Sequence, residues 1–319
     1  MGEHPERLNV FAGTYVDRQS QLREQGDWFA RVLADPATVV VPVWQNRNLF
    51  SRGEQLRAVL IGAGHALLRD IGESRAVLLG QFRGAPCVLV ELDGEAAPTI
   101  DPESEFHELR FLGSLLPADE AGLLAYARAL TFWRTRHRFC GTCGAPNFST
   151  KAGHVLLCSN ETCRQEQFPR IDPAIIVLIT DGERALLGRQ AAWPEGRYST
   201  IAGFVEPGES LEDTVHREVK EETDVDVFDI AYHSSQPWPF PSSLMLGFFA
   251  RAARGVIPKC GAELEDARWF SRADIARGSP ALPSSQSISF RLIEDWYNSG
   301  SEQPLRETPG VKIWEIKRP

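Results

Sequence analysis

Three glutamates stand close together in one short stretch of the chain, at a spacing that could do chemistry. Glu218, Glu221 and Glu222 occupy positions i, i+3 and i+4. On a helix this spacing brings like-charged carboxylates together, where they repel one another. A cation can neutralise such a cluster, and carboxylate oxygens are the ligands that hard divalent cations take. The stretch therefore predicts a divalent-metal site.

The flanking residues predict the helix that must carry these carboxylates. Ser210 suits the N-cap, with Asp213 three residues later as in a capping box, and the helix is expected to run to about Thr223. Glu218 and Glu222 fall at the edge of its apolar stripe, where burial without a cation would be costly. The stripe is formed by Leu211, Val215 and Val219. The alternative is a solvated acidic helix face, which is the usual meaning of a charge run.

A second cluster consists of four of the six cysteines. Two short C-x(2–4)-C turns separated by enough chain for a hairpin predict a zinc ribbon or knuckle. Because four thiolates leave no open coordination position, the predicted zinc is structural, with one ion per chain. A nucleic-acid-binding ribbon is the functional alternative, and the two isolated cysteines, Cys87 and Cys260, are expected to be buried thiols. The predicted ligands are Cys140, Cys143, Cys158 and Cys163.

The remaining pattern divides the chain into a strand-rich first part and a mixed last part. Strands are expected at Val39–Trp44 and around an Arg83-Gly84 hairpin, with a helix from Pro117 to about Arg136. Later strands are expected over 174–179, then after an Asp181-Gly182 turn over 198–204, and again from 232. We predict an N-terminal mixed α/β domain over 1–115, a linking helix over 116–138, the ribbon over 139–168 and a catalytic domain over 169–319.

Composition limits the classes of partner. The net charge of −9 argues against a general DNA-binding protein, since duplex binding needs basic surface. No apolar run approaches the length of a membrane span, and the N-terminus lacks the pattern of a signal peptide. We therefore expect a cytoplasmic protein without membrane contact.

A stiff aromatic loop follows the acidic helix. Its prolines restrict the backbone, so Trp238 and Phe240 project from an extended segment. Such a loop is either a packed element, a peptide-binding feature or a wall for a base beside a phosphate site. Its residues are Gln236, Pro237, Trp238, Pro239, Phe240, Pro241, Ser242 and Ser243.

These motifs together resemble a known family. The run from Gly203 to Val225 resembles the Nudix box, G-x5-E-x7-R-E-U-x-E-E-x-G-U, and departs only at Asp224, where the box has its final Gly. With the upstream four-cysteine ribbon and the downstream S-Q-P-W-P-F-P-x-S loop, the chain resembles the NADH pyrophosphatase family over about residues 110–296. The resemblance implies a Nudix fold, a mixed sheet flanked by helices, in an α+β or α/β protein that carries the ribbon and a strand-rich N-terminal domain.

The resemblance also implies roles for individual residues. Glu218, Glu222, Glu263 and the carbonyl of Ala202 match positions that bind Mg²⁺ or Mn²⁺, and Glu221 matches the third carboxylate of the helix. Arg217 is expected to hold Glu209 by a charge-assisted bond. Residues matching substrate contacts are the aromatic loop with Phe168, Phe204, Ser289 and Arg110.

The function implied is hydrolysis of the diphosphate of NAD(H) to nicotinamide mononucleotide and AMP by a homodimer. Family members also remove NAD caps from RNA 5′ ends. Glu221 or Glu222 would orient or deprotonate the attacking water. Two alternatives remain: a Nudix hydrolase for another substrate, such as ADP-ribose, and a catalytically inactive zinc-ribbon binding protein.

Overall fold

The computed structural model describes residues 8–314, which form two compact units. The N-terminal unit contains residues 11–171 and 238–242, and the C-terminal unit contains residues 8–10, 172–237 and 243–314. Both units combine sheets with helices, as predicted. Within the described residues, no helix combines the length and the apolar character needed to cross a bilayer.

The N-terminal unit is built on a seven-stranded sheet. Its order is β1-β5-β6-β2-β3-β7, with the short β4 paired to β2. The predicted hairpin is present: Arg83 and Gly84, at φ 52° and 82°, turn the chain between β5 and β6. The elements are β1 (Val16–Asp17), α1 (Trp28–Ala34), β2 (Val39–Trp44), β3 (Arg47–Ser51), β4 (Ile61–Gly62), β5 (Ala76–Phe82), β6 (Ala85–Leu92), β7 (Ser104–His107) and α2 (Leu109–Leu112).

The helix predicted from Pro117 to about Arg136 is α3 (Ala118–Arg136), in which Pro117 is the N-cap rather than the first helical residue. The side chain of Arg134, near its end, is buried. Its Nε donates to Glu91 Oε1 at 2.9 Å and its Nη1 donates to Ser149 Oγ at 3.0 Å. One guanidinium thus joins the helix to the large sheet and to the cysteine-containing segment.

That segment is a small three-stranded sheet of β8 (Asn147–Thr150), β9 (Val155–Cys158) and β10 (Glu166–Gln167), in the order β10-β9-β8. It packs directly on β5 of the same unit. The buried His154 donates from Nε2 to the Leu78 carbonyl at 2.8 Å. Gly153, at φ 93°, approaches β5 so closely that a Cβ there would lie 2.9 Å from Val77 Cα.

The C-terminal unit has a six-stranded mixed sheet in the order β14-β15-β11-β12-β16, with β13 paired to β11. β11 is parallel to β15 and antiparallel to β12 and β13. The elements are β11 (Asp172–Thr180), β12 (Arg184–Arg189), β13 (Ile201–Phe204), α4 (Leu211–Thr223), β14 (Val227–Trp238), β15 (Ser243–Ala252), β16 (Asp266–Ser271), α5 (Arg272–Ala276), β17 (Ala281–Leu282), α6 (Ile288–Asn298) and β18 (Lys312–Ile313).

Alternate residues of β11 point to two cores, one under each flanking helix. Ile175 and Val177 pack with α4, whereas Ile176 and Leu178 pack with α6. Gly182 forms the predicted turn after β11 at φ 98°. Two predicted bounds are wrong: β13 begins at Ile201 rather than at 198, and β14 begins at 227 rather than at 232. Before β13, Tyr198 instead packs in the α6 core and donates its hydroxyl to Asp266.

Candidate functional site

The acidic helix begins and is oriented as the sequence predicts. In the capping box, Asp213 N–H donates to Ser210 Oγ at 3.1 Å and Ser210 N–H donates to Asp213 Oδ2 at 3.0 Å. Val215 and Val219 are fully buried against the sheet. This orientation takes two carboxylates inward, because Glu218 is 8% exposed and Glu222 is 6% exposed.

The helix ends at the position where the motif has glycine. Asp224 has φ 54°, the left-handed conformation that a helix C-cap commonly needs, and its N–H donates to the Lys220 carbonyl at 2.9 Å. Its carboxylate pairs with Lys220 Nζ at 2.9 Å and Lys259 Nζ at 3.1 Å. These hydrogen bonds, that to Lys220 first, hold the pKa of Asp224 below its usual value. The side chain therefore offsets part of the backbone strain that glycine would avoid.

Arg217 is the centre of the ionic network on this helix. Its Nε and Nη2 donate to the two oxygens of Glu209 at 2.5 and 2.9 Å, which is the expected ion pair in bidentate form. Nη1 donates to Glu218 at 2.8 Å and to Glu221 at 3.1 Å. Nη2 also donates to the Phe204 carbonyl at 2.9 Å, which ties the helix to the end of β13. The bond to Arg217 lowers the pKa of Glu209 to about 2.

Gly203 explains how Glu218 fits beside β13. A Cβ at Gly203 would lie 1.9 Å from the carboxyl carbon of Glu218 and 2.0 Å from Oε1. No side chain larger than hydrogen leaves that carboxylate in place. The sequence motif contains this glycine, but only the structure gives its reason.

Glu222 is the buried glutamate of α4 whose negative charge is least compensated by neighbouring groups. Among the described residues, no hydrogen bond or ion pair reaches its side chain. Burial, reinforced by the charges of Glu218, Glu263 and Glu221, raises its pKa to about 8. Burial likewise raises the pKa of Glu218, although Arg217 opposes the effect. Both carboxylates thus lie where a bound cation would stabilise their charged forms.

The loop before β16 brings Glu263 toward the helix. Lys259 N–H donates to the Thr223 carbonyl and Gly261 N–H to the Glu222 carbonyl, each at 2.9 Å. Gly261 permits this approach, since a Cβ there would lie 2.1 Å from the Glu221 carbonyl oxygen. Sequence reasoning missed Gly261, whose one signal is its position two residues before Glu263.

The exposed Cys260 in this surface loop contradicts the expected buried thiol, whereas Cys87 is buried as expected.

The carboxylate site and the cysteine site differ in how tightly their ligands are gathered. Of the residues the structure describes, the four cysteines are the only group of three or more His, Cys, Asp or Glu whose ligand atoms all lie within 4.8 Å of one another. The glutamates are spread more widely, as suits a site shared with a substrate rather than closed around one ion. Carboxylates with a backbone carbonyl fit Mg²⁺ or Mn²⁺ in donor type.

The four thiols fit a tetrahedral zinc ion. Cys140 Sγ lies 3.8 Å from Cys163 Sγ, and Cys143 Sγ lies 3.4 Å from Cys158 Sγ. Zn–S bonds of about 2.3 Å at the tetrahedral angle require sulfurs about 3.8 Å apart. Backbone N–H groups of Thr142 and Cys143 lower the pKa of the Cys140 thiol, which favours the thiolate that zinc binds.

The aromatic loop is largely committed to packing. Gln236 is buried, and its amide donates to the Gln286 carbonyl at 3.0 Å and accepts from Ile288 N–H at 2.9 Å. Trp238 and Phe240 pack edge-to-face with ring centroids 5.2 Å apart, and both contact Phe11 of the N-terminal unit. The Gln236 side chain therefore has no free amide group to offer a substrate, and the role predicted for this loop stays a prediction.

Two further residues of the predicted substrate set have contrasting surroundings. Ser289 is buried at the start of α6, where its Oγ lies 2.9 Å from Ser199 Oγ and accepts from Thr200 Oγ1 at 2.8 Å. Its side chain therefore links α6 to the segment before β13. Arg110, in α2, is exposed.

Phe168 and Phe204 are both solvent-exposed aromatic rings. Phe168, at the exit of the ribbon, is 60% exposed, and Phe204, at the end of β13, is 58% exposed. Neither ring is buried by its own unit, so packing within the units does not explain why a large apolar side chain occupies either position. Both rings are available to contact a ligand.

Comparisons with known proteins agree with this architecture. The NUDIX domain family matches residues 170–292, and the NADH pyrophosphatase zinc ribbon domain matches residues 135–168. The NADH pyrophosphatase-like rudimentary NUDIX domain matches residues 37–133, which extends the resemblance into the strand-rich N-terminal region.

Two similar relatives cover most of the chain. An NAD-capped RNA hydrolase NudC from Stutzerimonas stutzeri is 42% identical over 232 residues, which are 73% of this chain and 81% of the relative. The NAD-capped RNA hydrolase NUDT12 from Homo sapiens is 33% identical over an alignment of 337 positions, gaps included, which covers 90% of this chain and 73% of the relative.

Replacing Gly203 should displace a carboxylate without unfolding the protein. In Gly203→Ala the new Cβ must push aside the flexible end of Glu218, so we expect Mn²⁺ affinity, measured by calorimetric titration, to fall at least about tenfold. The metal-free Tm should change little. Gly62→Ala is the control, since nothing lies within 4 Å of its Cβ position. Unchanged Mn²⁺ affinity in Gly203→Ala would contradict this role of the glycine.

Burial of Glu222 should make metal-free stability depend on pH. Its folded pKa of about 8 exceeds the ordinary 4.5, so the folded state binds the extra proton between these values. Stability of the wild type should therefore decline as pH rises through this window and level off above it. Glu222→Gln lacks this loss, so its Tm in chelator should exceed that of wild type by a margin that grows from pH 5 to 8. A margin independent of pH would refute the assignment.

Proposed function

The chain belongs to the NADH pyrophosphatase family of NUDIX hydrolases, and we propose that it hydrolyses the diphosphate bond of NAD(H) to give nicotinamide mononucleotide and AMP. Both relatives described above are named as NAD-capped RNA hydrolases, so we extend the proposal to NAD caps at RNA 5′ ends. The observation that carries the proposal is the buried Glu222 carboxylate, which lies near Glu218 and has no cationic partner among the described residues.

We assign Mg²⁺ or Mn²⁺ binding to Glu218, Glu222, Glu263 and the carbonyl of Ala202. A divalent cation held by these residues would lower the pKa of a bound water and would neutralise charge that develops on phosphoryl oxygens. The assignment of Glu263 is supported by its proximity to the other two carboxylates, because its negative charge raises the pKa of Glu218 and of Glu222. Ala202 precedes Gly203 in β13, and it is Gly203 that lies beside the Glu218 carboxylate.

The chain's own residues must fix these groups before the substrate arrives. Arg217 bonds to Glu209, just before α4, and to Glu218 in the middle of the helix. Because it also donates to the Phe204 carbonyl, one guanidinium sets the position of the helix relative to β13. Thr214 adds a hydrogen bond from Oγ1 to Glu209 at 2.9 Å. This preorganisation reduces the reorganisation needed during the reaction.

Glu221 and Glu222 are the two candidates to accept a proton from the attacking water. Glu221 is exposed and bonded to Arg217, whereas Glu222 is buried and has no such bond. The pH dependence of kcat in each Gln variant separates the two, because loss of the base removes the acidic limb of the profile.

Product analysis tests the proposed activity directly. We expect purified protein with Mg²⁺ or Mn²⁺ to convert NADH into AMP and reduced nicotinamide mononucleotide. ADP-ribose and NAD-capped RNA, assayed at the same concentration, test the alternative substrates. Absence of metal-dependent AMP release would favour a binding protein instead.

Glu218→Gln and Glu222→Gln should each lower kcat by at least about 10²-fold while the fold stays intact. Loss of one metal-held interaction of about 3 kcal/mol gives a change of this size. Glu212→Gln is the matched control, because Glu212 is an exposed carboxylate in the first turn of the same helix. Near-wild-type turnover in both variants would disprove the assignment of α4 as the metal helix.

We also propose that the protein is a homodimer in which Phe204 and Phe168 of the partner subunit enclose the substrate base. The exposure of both rings supports this proposal. Stacking on an aromatic ring contributes about 1–3 kcal/mol per base, so Phe168→Ala should raise KM for NADH about ten- to hundredfold, with a smaller effect on kcat.

Mixing two impaired variants tests whether the site is shared. After subunit exchange between Phe168→Ala and Glu222→Gln, half of the dimers are mixed and each has one intact site. About one quarter of wild-type activity should therefore return at low NADH. Efficient hydrolysis by a stable monomer, or no recovery after verified exchange, would exclude a shared site.

A further inference from the structure

The small zinc sheet packs one face on the large sheet of the N-terminal unit, and near the cysteines part of its opposite face is exposed. Ser149 and Leu156 are paired in register; Ser149 bonds to Arg134, and Leu156 is buried. On the other side, Phe148 pairs with Leu157, so these two side chains share the opposite face. Phe148 is 42% exposed.

Two more residues extend this opposite face. Phe139 is exposed and pairs with Pro146, two residues before Phe148, which places both rings on the same side. The guanidinium carbon of Arg164 lies 5.7 Å from the centroid of the Phe148 ring. We call these residues, Phe139, Phe148, Leu157 and Arg164, the ribbon face.

Exposed cations lie around the ribbon face, in a chain of net charge −9. Residues 134–170 contain six basic side chains, of which buried Arg134 pairs with Glu91 and Lys151 pairs with Glu24. Arg136, Arg138 and Arg164 are exposed, and none of them pairs with a carboxylate of the described residues.

Exposed aromatic rings, an arginine stacked on one of them and unpaired cations together suit single-stranded nucleic acid. Bases stack on aromatic faces without sequence preference, and arginines contact the phosphates. A duplex would not fit, since its bases are already stacked on each other. A second copy of this chain, whose net negative charge also complements these cations, is the competing occupant, and the molecular mass of the variant distinguishes it.

We propose that the ribbon face binds the single-stranded RNA chain that follows an NAD cap. The inference rests on the proposed function, in which Phe168 contacts the cap. Phe168 lies two residues after Glu166, and Glu166 pairs with Leu157 of the ribbon face. The ribbon would thus contribute to substrate choice by favouring capped RNA over free NAD(H).

The test compares RNA binding and two substrates in the double variant Phe148→Ala, Arg164→Ala. We expect its affinity for a fluorescent uncapped single-stranded RNA of about twelve nucleotides, measured by anisotropy, to fall at least about tenfold. The slope of log affinity against log salt should decrease by about 0.7, as for one lost phosphate contact. For NAD-capped RNA, kcat/KM should fall by a similar factor, while kcat/KM for NADH stays within about twofold of wild type.

The chain provides a matched control at another exposed arginine–phenylalanine pair. Arg251 lies 5.4 Å above the Phe228 ring, which is 44% exposed, in the C-terminal unit. Phe228→Ala, Arg251→Ala should leave RNA affinity and both activities unchanged. Zinc content and Tm of each variant establish that the ribbon is folded.

The outcomes separate this inference from the proposed function. Equal RNA affinity in wild type and the ribbon-face variant overturns the inference, even when NADH hydrolysis confirms the NAD(H) activity. Loss of NADH hydrolysis together with a change in molecular mass also overturns it, because the ribbon face is then an interface between copies. Absence of NADH hydrolysis in wild type refutes the proposed function itself, whereas the anisotropy result still decides the binding claim.

Discussion

The close approach of like-charged carboxylates on a buried helix face is the constraint on which the C-terminal unit depends. Glu218 and Glu222 are taken inward by the same periodicity that buries Val215 and Val219. Water alone cannot compensate such charges once they are buried, so the surrounding chain has to supply opposite charge or leave room for it. Arg217 supplies it for Glu218, and Glu222 is left for a cation.

Backbone positions around the helix follow from that constraint. Gly203 leaves space for one carboxylate, and Gly261 lets the loop with Glu263 bond to the helix end. Asp224 adopts the left-handed conformation that lets the helix stop before this loop. The residues of the motif therefore depend on one another. The glutamates can occupy their positions only because the glycines leave space for them.

The local elements could be predicted from sequence because their signals are local. The capping box at Ser210, the turn at Gly182 and the cysteine spacing each specify a short structure by neighbouring residues alone. The commitment of Gln236 to the start of α6 could not be predicted, since its partners lie about fifty residues away. The prediction that Cys260 is buried is wrong because its burial depends on the path of the surface loop, and the residue type does not determine that path. The metal and substrate roles of the site were inferred from resemblance, and the geometry adds why the residue types fit.

The aromatic residues separate into packed and exposed sets that composition alone does not distinguish. Trp238 and Phe240 look like a ligand wall in sequence, yet their rings contact each other and Phe11. Phe168 and Phe204 lie outside any run of aromatic residues and prolines in the sequence, yet their rings are solvent-exposed. Exposure in the folded chain, more than aromatic content, identifies which rings can meet a base.

The bonds made by Arg134 and His154 have a consequence for how the N-terminal unit unfolds. Arg134 holds the large sheet, α3 and the zinc sheet through one side chain, and His154 reaches a carbonyl of β5. Amides in these elements should then exchange with deuterium as one cooperative group. Chelation of the zinc would raise the exchange rate in β5 and β6 as well as in the ribbon, so the metal would stabilise a large sheet that contains none of its ligands.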